Sequence, residues 1–174
     1  MQSETIILRA LEPNDIDFLY QWENDTNLWY LSNSNTPFSR FVLEQFILNA
    51  HLDIYTNKQL RLMIDLKAKP KNITIGCIDI FDFDPINKRA GIGILISDGF
   101  REKGHASESL KLLIDYAFEN LQLHQMYCNI SEDNEASLKL FKNRGFEIIG
   151  LKRDWNWRNE NWIHEYSLQL IKNN

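Results

Sequence analysis

The chain has 174 residues, 44% of them hydrophobic and 25% charged. That is the composition of a folded globular domain, and it excludes disordered and collagen-like architectures. With 24 acidic and 19 basic side chains the net charge is -5, which argues against broad nucleic-acid binding through a basic surface and suits a cationic partner somewhat better.

Cys77 and Cys128 form no C-x-x-C pair, so neither a disulfide framework nor a zinc site is signalled, and no metal is expected. Met1-Gln2-Ser3-Glu4 lacks the basic and apolar regions of a signal peptide, and no apolar run approaches the roughly 18 residues of a membrane span. The expectation is one domain over residues 1–174, cytoplasmic, with reduced thiols and no membrane or nucleic-acid partner.

Residues 5–10 (TIILRA) predict a first strand, and Pro13 opens a helix carrying Ile16, Leu19 and Tyr20. Residues 24–39 are rich in Asn, Ser and Thr around Trp29, Tyr30 and Phe38, and read as a long aromatic loop. Ser39 can cap a second helix with Phe41, Val42, Phe46 and Ile47 as its apolar stripe. Residues 59–66, 73–83 and 89–96 predict three strands joined by the turns Lys69-Pro70-Lys71-Asn72 and Asp84-Pro85-Ile86-Asn87, most simply an antiparallel meander.

Residues 104–120 place Leu110, Leu113, Ile114, Ala117 and Phe118 at helical spacing. A short strand over 125–130, a helix over 134–143 ending near Gly145, and a hairpin of 146–157 with 161–170 complete the chain. The order β-α-α-β-β-β-α-β-α-β-β predicts an α/β domain: a mixed sheet with helices packed on it.

The chemistry concentrates in the segment ILISDGFREKGHA (94–106), where a strand ends, a polar loop follows and a long helix begins. A helix start offers unpaired N–H groups and the positive end of the macrodipole. Gly104 permits close approach to the backbone, and Arg101 and Lys103 add charge, so this is an anion site suited to a phosphate. No Walker A or G-x-G-x-x-G pattern is present. A second segment, NEASLKLFKNRGF (134–146), follows the next strand.

Together these segments resemble the GNAT superfamily of acetyl-CoA-dependent N-acetyltransferases. The family's Arg/Gln-x-x-Gly-x-Gly/Ala loop reads here as Arg101-x-x-Gly104-x-Ala106. Its Asn-x-x-Ser/Ala block, followed by an aromatic residue and Gly-Phe, reads as Asn134, Ser137, Phe141, Gly145 and Phe146. The opening Leu8-Arg9-Ala10-Leu11-Glu12 with Asp15 is similar to the start of spermidine and ribosomal-protein N-terminal acetyltransferases, and the tail from Gly145 to Trp162 to their closing hairpin.

The resemblance implies a GNAT-like fold with a splayed central sheet flanked by helices. Acetyl-CoA would enter a V-shaped gap between two parallel strands. Ile94, Leu95 and Ile96 would pair with the pantetheine arm as an added strand, and a strand N–H near Leu95 or Ile96 would face the carbonyl oxygen in the tetrahedral state. The amides of Arg101, Glu102, Lys103, Gly104, His105 and Ala106 would hold the pyrophosphate. Asn134, Ser137 and Phe141 would lie against the rest of the cofactor.

The sequence departs from the pattern at Phe141, where many members carry a Tyr that protonates the leaving thiolate. It departs again on strand 89–96, which has Gly91 and Gly93 where a Glu often serves as base; those glycines signal close backbone approach or a bulge.

For a base, Asp79 is the candidate, read as sharing a strand face with Ile75, Cys77 and Phe81. A hydrogen-bonded structural acid is the alternative. Trp29 and Tyr30 are candidate walls for the acceptor. Trp155, Trp157 and Trp162 read as sheet packing or as a further aromatic wall. The activity implied is acetyl transfer to a primary amine, a polyamine or a protein N-terminus, by direct attack on the thioester. A catalytically weak acyl-CoA-binding module is the alternative. A homo-oligomer joined through the aromatic hairpin is a further expectation.

Overall fold

Runs rich in Ile and Leu alternate with turns containing Asn, Asp and Pro, and the strands they form lie side by side in one seven-stranded sheet. The computed structural model describes residues 1–32 and 34–172. The strands are β1 (Ile6–Ala10), β2 (Leu60–Leu66), β3 (Ile73–Asp84), β4 (Arg89–Ile96), β5 (Gln125–Ser131), β6 (Glu147–Arg158) and β7 (Asn161–Ile171), in the order β1-β2-β3-β4-β5-β7-β6. Each neighbouring pair is antiparallel except β4 with β5, which is parallel. The expected meander is therefore β2-β3-β4.

The helices are α1 (Ile16–Glu23), α2 (Trp29–Ser32), α3 (Arg40–Asn49), α4 (Ile54–Asn57), α5 (His105–Glu119) and α6 (Glu135–Lys142). A 3-10 turn over Pro13–Asp15 leads into α1. Two short helices were not foreseen. One is α2, a single turn inside the predicted 24–39 loop (of which Asn33 lies outside the described residues); the other is α4.

One face of the sheet packs on α5 and α6. Ile78, Ile80, Ile92 and Met126 meet Leu110, Leu113, Ala117 and Phe141 there, all nearly or fully buried. Each fully buried large aliphatic contributes roughly 1.5–3 kcal/mol. The opposite face packs Met63 and Cys77 on Leu19, Trp22, Leu43 and Ile47 from α1 and α3. Ser39 does cap α3, accepting from the Val42 amide at 3.2 Å. Half of the predicted stripe faces inward: Ile47 is buried and Phe46 packs beside it, whereas Phe41 and Val42 face solvent and Leu43 is buried instead. The i, i+4 pair that meets the sheet decides the face, and apolarity alone does not.

A second correction concerns β3. The register slips between Ile64 and Asp65 of β2, so that Gly76 pairs with Ile64 and Thr74 with Asp65, leaving Ile75 as the extra residue. A bulge reverses the alternation of side chains. Ile75 consequently joins the α5 side, whereas Cys77 and Asp79 face α1 and α3.

The β6–β7 turn is the two-residue Asn159-Glu160, with φ of 50° and 62°. Positive φ at both positions matches the twist of the flanking strands.

Candidate functional site

β4 and β5 pair only at Arg89–Gln125, Ala90–Met126 and Gly91–Tyr127. Beyond Gly91, β4 remains bonded to β3 on one side, while β5 turns its own bonds to β7. The sheet therefore opens into a notch between residues 92–96 and 128–131. The candidate residues Ile94, Leu95 and Ile96 form one lip.

At the open end of the notch the chain turns into α5. Arg101 braces the loop: its Nε donates to the Ile96 carbonyl at 2.8 Å and its Nη1 pairs with Asp98 at 2.8 Å. Lys103 Nζ donates to the Gly99 carbonyl at 2.7 Å. Glu102 and Gly104 adopt positive φ, 60° and 85°. A Cβ at Gly104 would meet nothing within 4 Å, so glycine answers a conformational need there and not a steric one.

Helix α5 starts with no side-chain cap, and its first amide bonded to the preceding loop is Glu108, donating to the Gly104 carbonyl. The amides of Lys103, Gly104, His105, Ala106 and Ser107 have no acceptor among the described residues. A row of free N–H groups at the positive end of a 15-residue helix fits a pyrophosphate.

Across the notch, Asn134 caps α6 by accepting from the Ser137 amide at 3.2 Å. That use of its carbonyl was not foreseen; the amide nitrogen of Asn134 keeps its donors. Phe141 is 3% exposed and stands edge-on to Phe146, with ring centroids 5.0 Å apart. It offers an apolar wall and no proton.

The acceptor-side candidates gather on the face opposite α5. Asp79 stands opposite Gly93 in register, with both carboxylate oxygens taken by Arg61: Nε to Oδ1 at 2.8 Å and Nη2 to Oδ2 at 3.0 Å. Arg61 also reaches Glu23 Oε1 at 2.5 Å and stacks over Phe46. Burial works against the Arg61 charge, but Asp79 and Glu23 outweigh it and hold the guanidinium well above its usual value. Asp79 is thus the hydrogen-bonded acid that the sequence offered as one of two readings, linked through Arg61 to Glu23. The Glu23 carbonyl accepts from Trp29 Nε1 at 2.8 Å, so the chain Asp79–Arg61–Glu23–Trp29 is continuous.

Trp29 and Tyr30 line a cavity of about 370 Å³ together with Ser131, Trp155, Asn156 and Arg158. Arg158 lies over the Tyr30 ring at 4.2 Å and pairs with Asp133. Trp155 and Trp157 face this cavity and are more than half exposed, so they are not interior sheet packing.

Met126, Cys128 and Ile130 of β5 are buried, whereas Tyr127, Asn129 and Ser131 on its other face are not. A second cavity, about 440 Å³, holds Asp82, Asp84, Arg89 and Tyr127 on that same face. Tyr127 donates to Asp82 at 3.2 Å; burial and then the Asp82 charge raise its pKa, so it stays a phenol.

Both thiols are pushed up to about 12, Cys77 by burial against the pull of Arg61 and Cys128 by burial alone. Neither is a thiolate at neutral pH, so neither suits a covalent acyl-enzyme. Among the described residues no group of His, Cys, Asp and Glu could hold a metal, and no helix is long and apolar enough to cross a membrane.

The sequence matches the family model of the Acetyltransferase (GNAT) domain over residues 5–147. It is 24% identical over 151 residues to the spermidine N(1)-acetyltransferase of Escherichia coli K12, covering 85% of this chain and 76% of that one. The fold superposes on spermidine N-acetyltransferase from Vibrio cholerae, solved with CoA and spermine, with a TM-score of 0.86, 22% identity, and 97% and 96% of the two chains covered. A dodecameric structure of the Vibrio cholerae enzyme superposes with a TM-score of 0.79 and 23% identity over 97% and 95%. The chain belongs to the GNAT family of acetyltransferases. It is an acetyl-CoA-dependent N-acetyltransferase with the mixed, splayed sheet of that fold.

Proposed function

We propose that the chain acetylates a primary amine of a small polycation of the polyamine type, with acetyl-CoA in the β4–β5 notch and the amine arriving from the Asp79 face. The observation that carries the reading is the notch itself, which opens to both faces. On one face stand the free amides of α5. On the other stand Asp79 and Glu23 around Arg61, with Asp82 and Asp84 further along beside Arg89, so four acids face two arginines. The spermidine-acetylating relatives support the same acceptor class.

In this reading Ile94, Leu95 and Ile96 offer their backbone to the pantetheine amides, and the free amides of residues 103–107 take the pyrophosphate, the Arg101 amide being already committed to the Asp98 carbonyl at 3.2 Å. Asn134, Ser137 and Phe141 wall the other side. A strand N–H near Leu95 or Ile96 faces the developing oxyanion. A polyamine nitrogen with a pKa near 10.4 must lose its proton before attack. Asp79, fixed by Arg61, orients the amine or the water that takes that proton. Trp29 and Tyr30 form the aromatic wall for the cationic chain. The leaving thiolate, about 8.5 on the Cys scale, departs with help from solvent in place of residue 141. The unpaired buried thiols suit a cytoplasmic setting, and the dodecameric relative supports a homo-oligomer.

The lack of a hydroxyl at Phe141 favours one second reading, a weak acyl-CoA-binding module. Release of CoA thiol with spermidine, spermine, basic N-terminal peptides and aminoglycosides separates the two. Release with polyamines is expected, and Asp79→Asn lowers it about a hundredfold, the low end for a proton-handling group. Acetyl-CoA binding without release from any amine overturns the enzyme reading. Release with peptides alone replaces the acceptor. Unchanged turnover in folded Asp79→Asn removes Asp79 from the mechanism.

A further inference from the structure

Arg144 follows α6, in the turn that leads to β6. Its Nε and Nη2 both donate to Ser107 Oγ, at 2.9 and 2.6 Å. Ser107 is the third residue of α5, 37 positions away in sequence. A guanidinium is thereby fixed beside the first turn of a helix whose opening amides are free. Its Nη1 has no partner, and no carboxylate pairs with Arg144 among the described residues.

The arrangement is electrostatically costly as it stands. A cation is disfavoured at the positive end of a helix, and partly buried arginines ordinarily find an acid. The neutral Ser107 hydroxyl relieves none of that charge. It does orient the fork, and by accepting twice it leaves its own O–H free to donate outward. An anion at the α5 start would receive three kinds of donor: backbone amides, the Ser107 hydroxyl and the Arg144 guanidinium. Arginine is the side chain whose donor fork matches phosphate geometry.

We infer that Arg144, held in place by Ser107, is a specificity residue for a phosphate group of acetyl-CoA. It adds a cation directed at the α5 start, whereas Arg101 and Lys103 are turned back onto the Ile96 and Gly99 carbonyls of their own loop. The inference rests on the acetyl-CoA reading of the notch. Two phosphate sources exist on the cosubstrate, the pyrophosphate and the ribose 3′-phosphate, and the test tells them apart.

Binding of CoA and of 3′-dephospho-CoA is measured by calorimetry on the wild type, Arg144→Gln, Arg144→Lys and Ser107→Ala. Failure of the wild type to bind CoA would defeat the notch reading itself; everything else is a comparison between variants. A hydrogen bond to a charged group is worth about tenfold to a hundredfold in affinity. Arg144→Gln should therefore weaken CoA by at least about tenfold, with Arg144→Lys and Ser107→Ala in between. The loss should appear in the KM for acetyl-CoA and not in that for the amine. If dephospho-CoA binds wild type and Arg144→Gln equally while CoA does not, the contact is to the 3′-phosphate. If both ligands weaken together, it is to the pyrophosphate. Should Arg144→Gln not fold, the wild-type Arg144 Nε–H resonance, assigned by its disappearance in Arg144→Lys, should shift on titration with CoA. Binding of both ligands to folded Arg144→Gln within about twofold of wild type, or an unmoved resonance, overturns the inference and leaves Arg144 as a tie between α6 and α5.

Discussion

Gly91 is the last β4 residue paired with β5, and the Phe81 ring of β3 occupies the space where its side chain would be. An alanine Cβ at 91 would lie 2.2 Å from Phe81 Cε2 and 2.6 Å from Cδ2 and Cζ. Carbon atoms in contact sit about 3.5–4.0 Å apart, so the ring would have to withdraw by about 1.5 Å. It is poorly free to do so. Its other side meets Tyr127 edge-on at 6.2 Å, and the next residue, Asp82, is locked in the bulge at φ 49°. Overpacking of this kind costs about 1–3 kcal/mol. For a chain of this length about 2 kcal/mol lowers Tm by roughly 4–8 °C. Phe81→Leu removes the obstructing ring edge at its own cost. The two changes together should then be milder than their sum, by about 1–2 kcal/mol. Thermal and urea melts of the four proteins measure this directly. Additivity within about 0.5 kcal/mol, or a Gly91→Ala protein that melts like wild type, would refute the close-approach account of this glycine.

Two more perturbations follow from the same geometry. Gly104→Ala meets no atom but must hold φ 85°, so a loss of about 1–2 kcal/mol and a raised KM for acetyl-CoA are expected; an unchanged KM would show that the loop amides do not need this conformation. Asp15 is 3% exposed: burial alone would raise its pKa, but hydrogen bonds from Arg9 and the Glu12 amide outweigh this and hold it below the usual carboxylate range. A depressed acid stabilises the fold above its unfolded value, near 3.9, and that contribution fades as pH falls through the folded value. Arg9→Met should therefore cost about 3 kcal/mol at pH 7, with part of the gap to wild type closing as pH falls and the stranded Asp15 takes up its proton. Equal pH slopes in urea melts of the two proteins would contradict this.

The strands were legible in the sequence because both sheet faces are covered and their apolar runs are long. The α5 loop was legible because its glycine and basic residues sit where a strand hands over to a helix, and the Gly91 reading came from two glycines inside an otherwise aliphatic strand. What escaped was set by distance in sequence. Arg61 and Asp79 lie 18 residues apart and meet only once β2 and β3 are in register, so the sequence left Asp79 open between a base and a hydrogen-bonded acid and did not name its partner. Ser107 lies in α5 and Arg144 in the turn after α6, and the pair has no local signature; an arginine in the Gly-Phe turn was the one available hint. The Ile75 bulge needed strand register, and register is a property of the pair. The α3 stripe held at Phe46 and Ile47 and failed at Phe41 and Val42, which are apolar without being inward, a distinction that only the packing partner makes.

The three-residue pairing of β4 with β5 also places two unpaired strand edges in the middle of the sheet. Edges are sites where foreign strands dock and aggregation begins, and proteins ordinarily blunt them with charge. Neither 92–96 nor 128–131 carries a charged residue. In the proposed binding mode a pantetheine would cover these edges, so the liganded protein would be protected both by mass action and by the loss of its stickiest surface. Cosubstrate supply would then govern how long each molecule survives as well as how fast it works, and a cell starved of acetyl-CoA would shed the enzyme together with its activity.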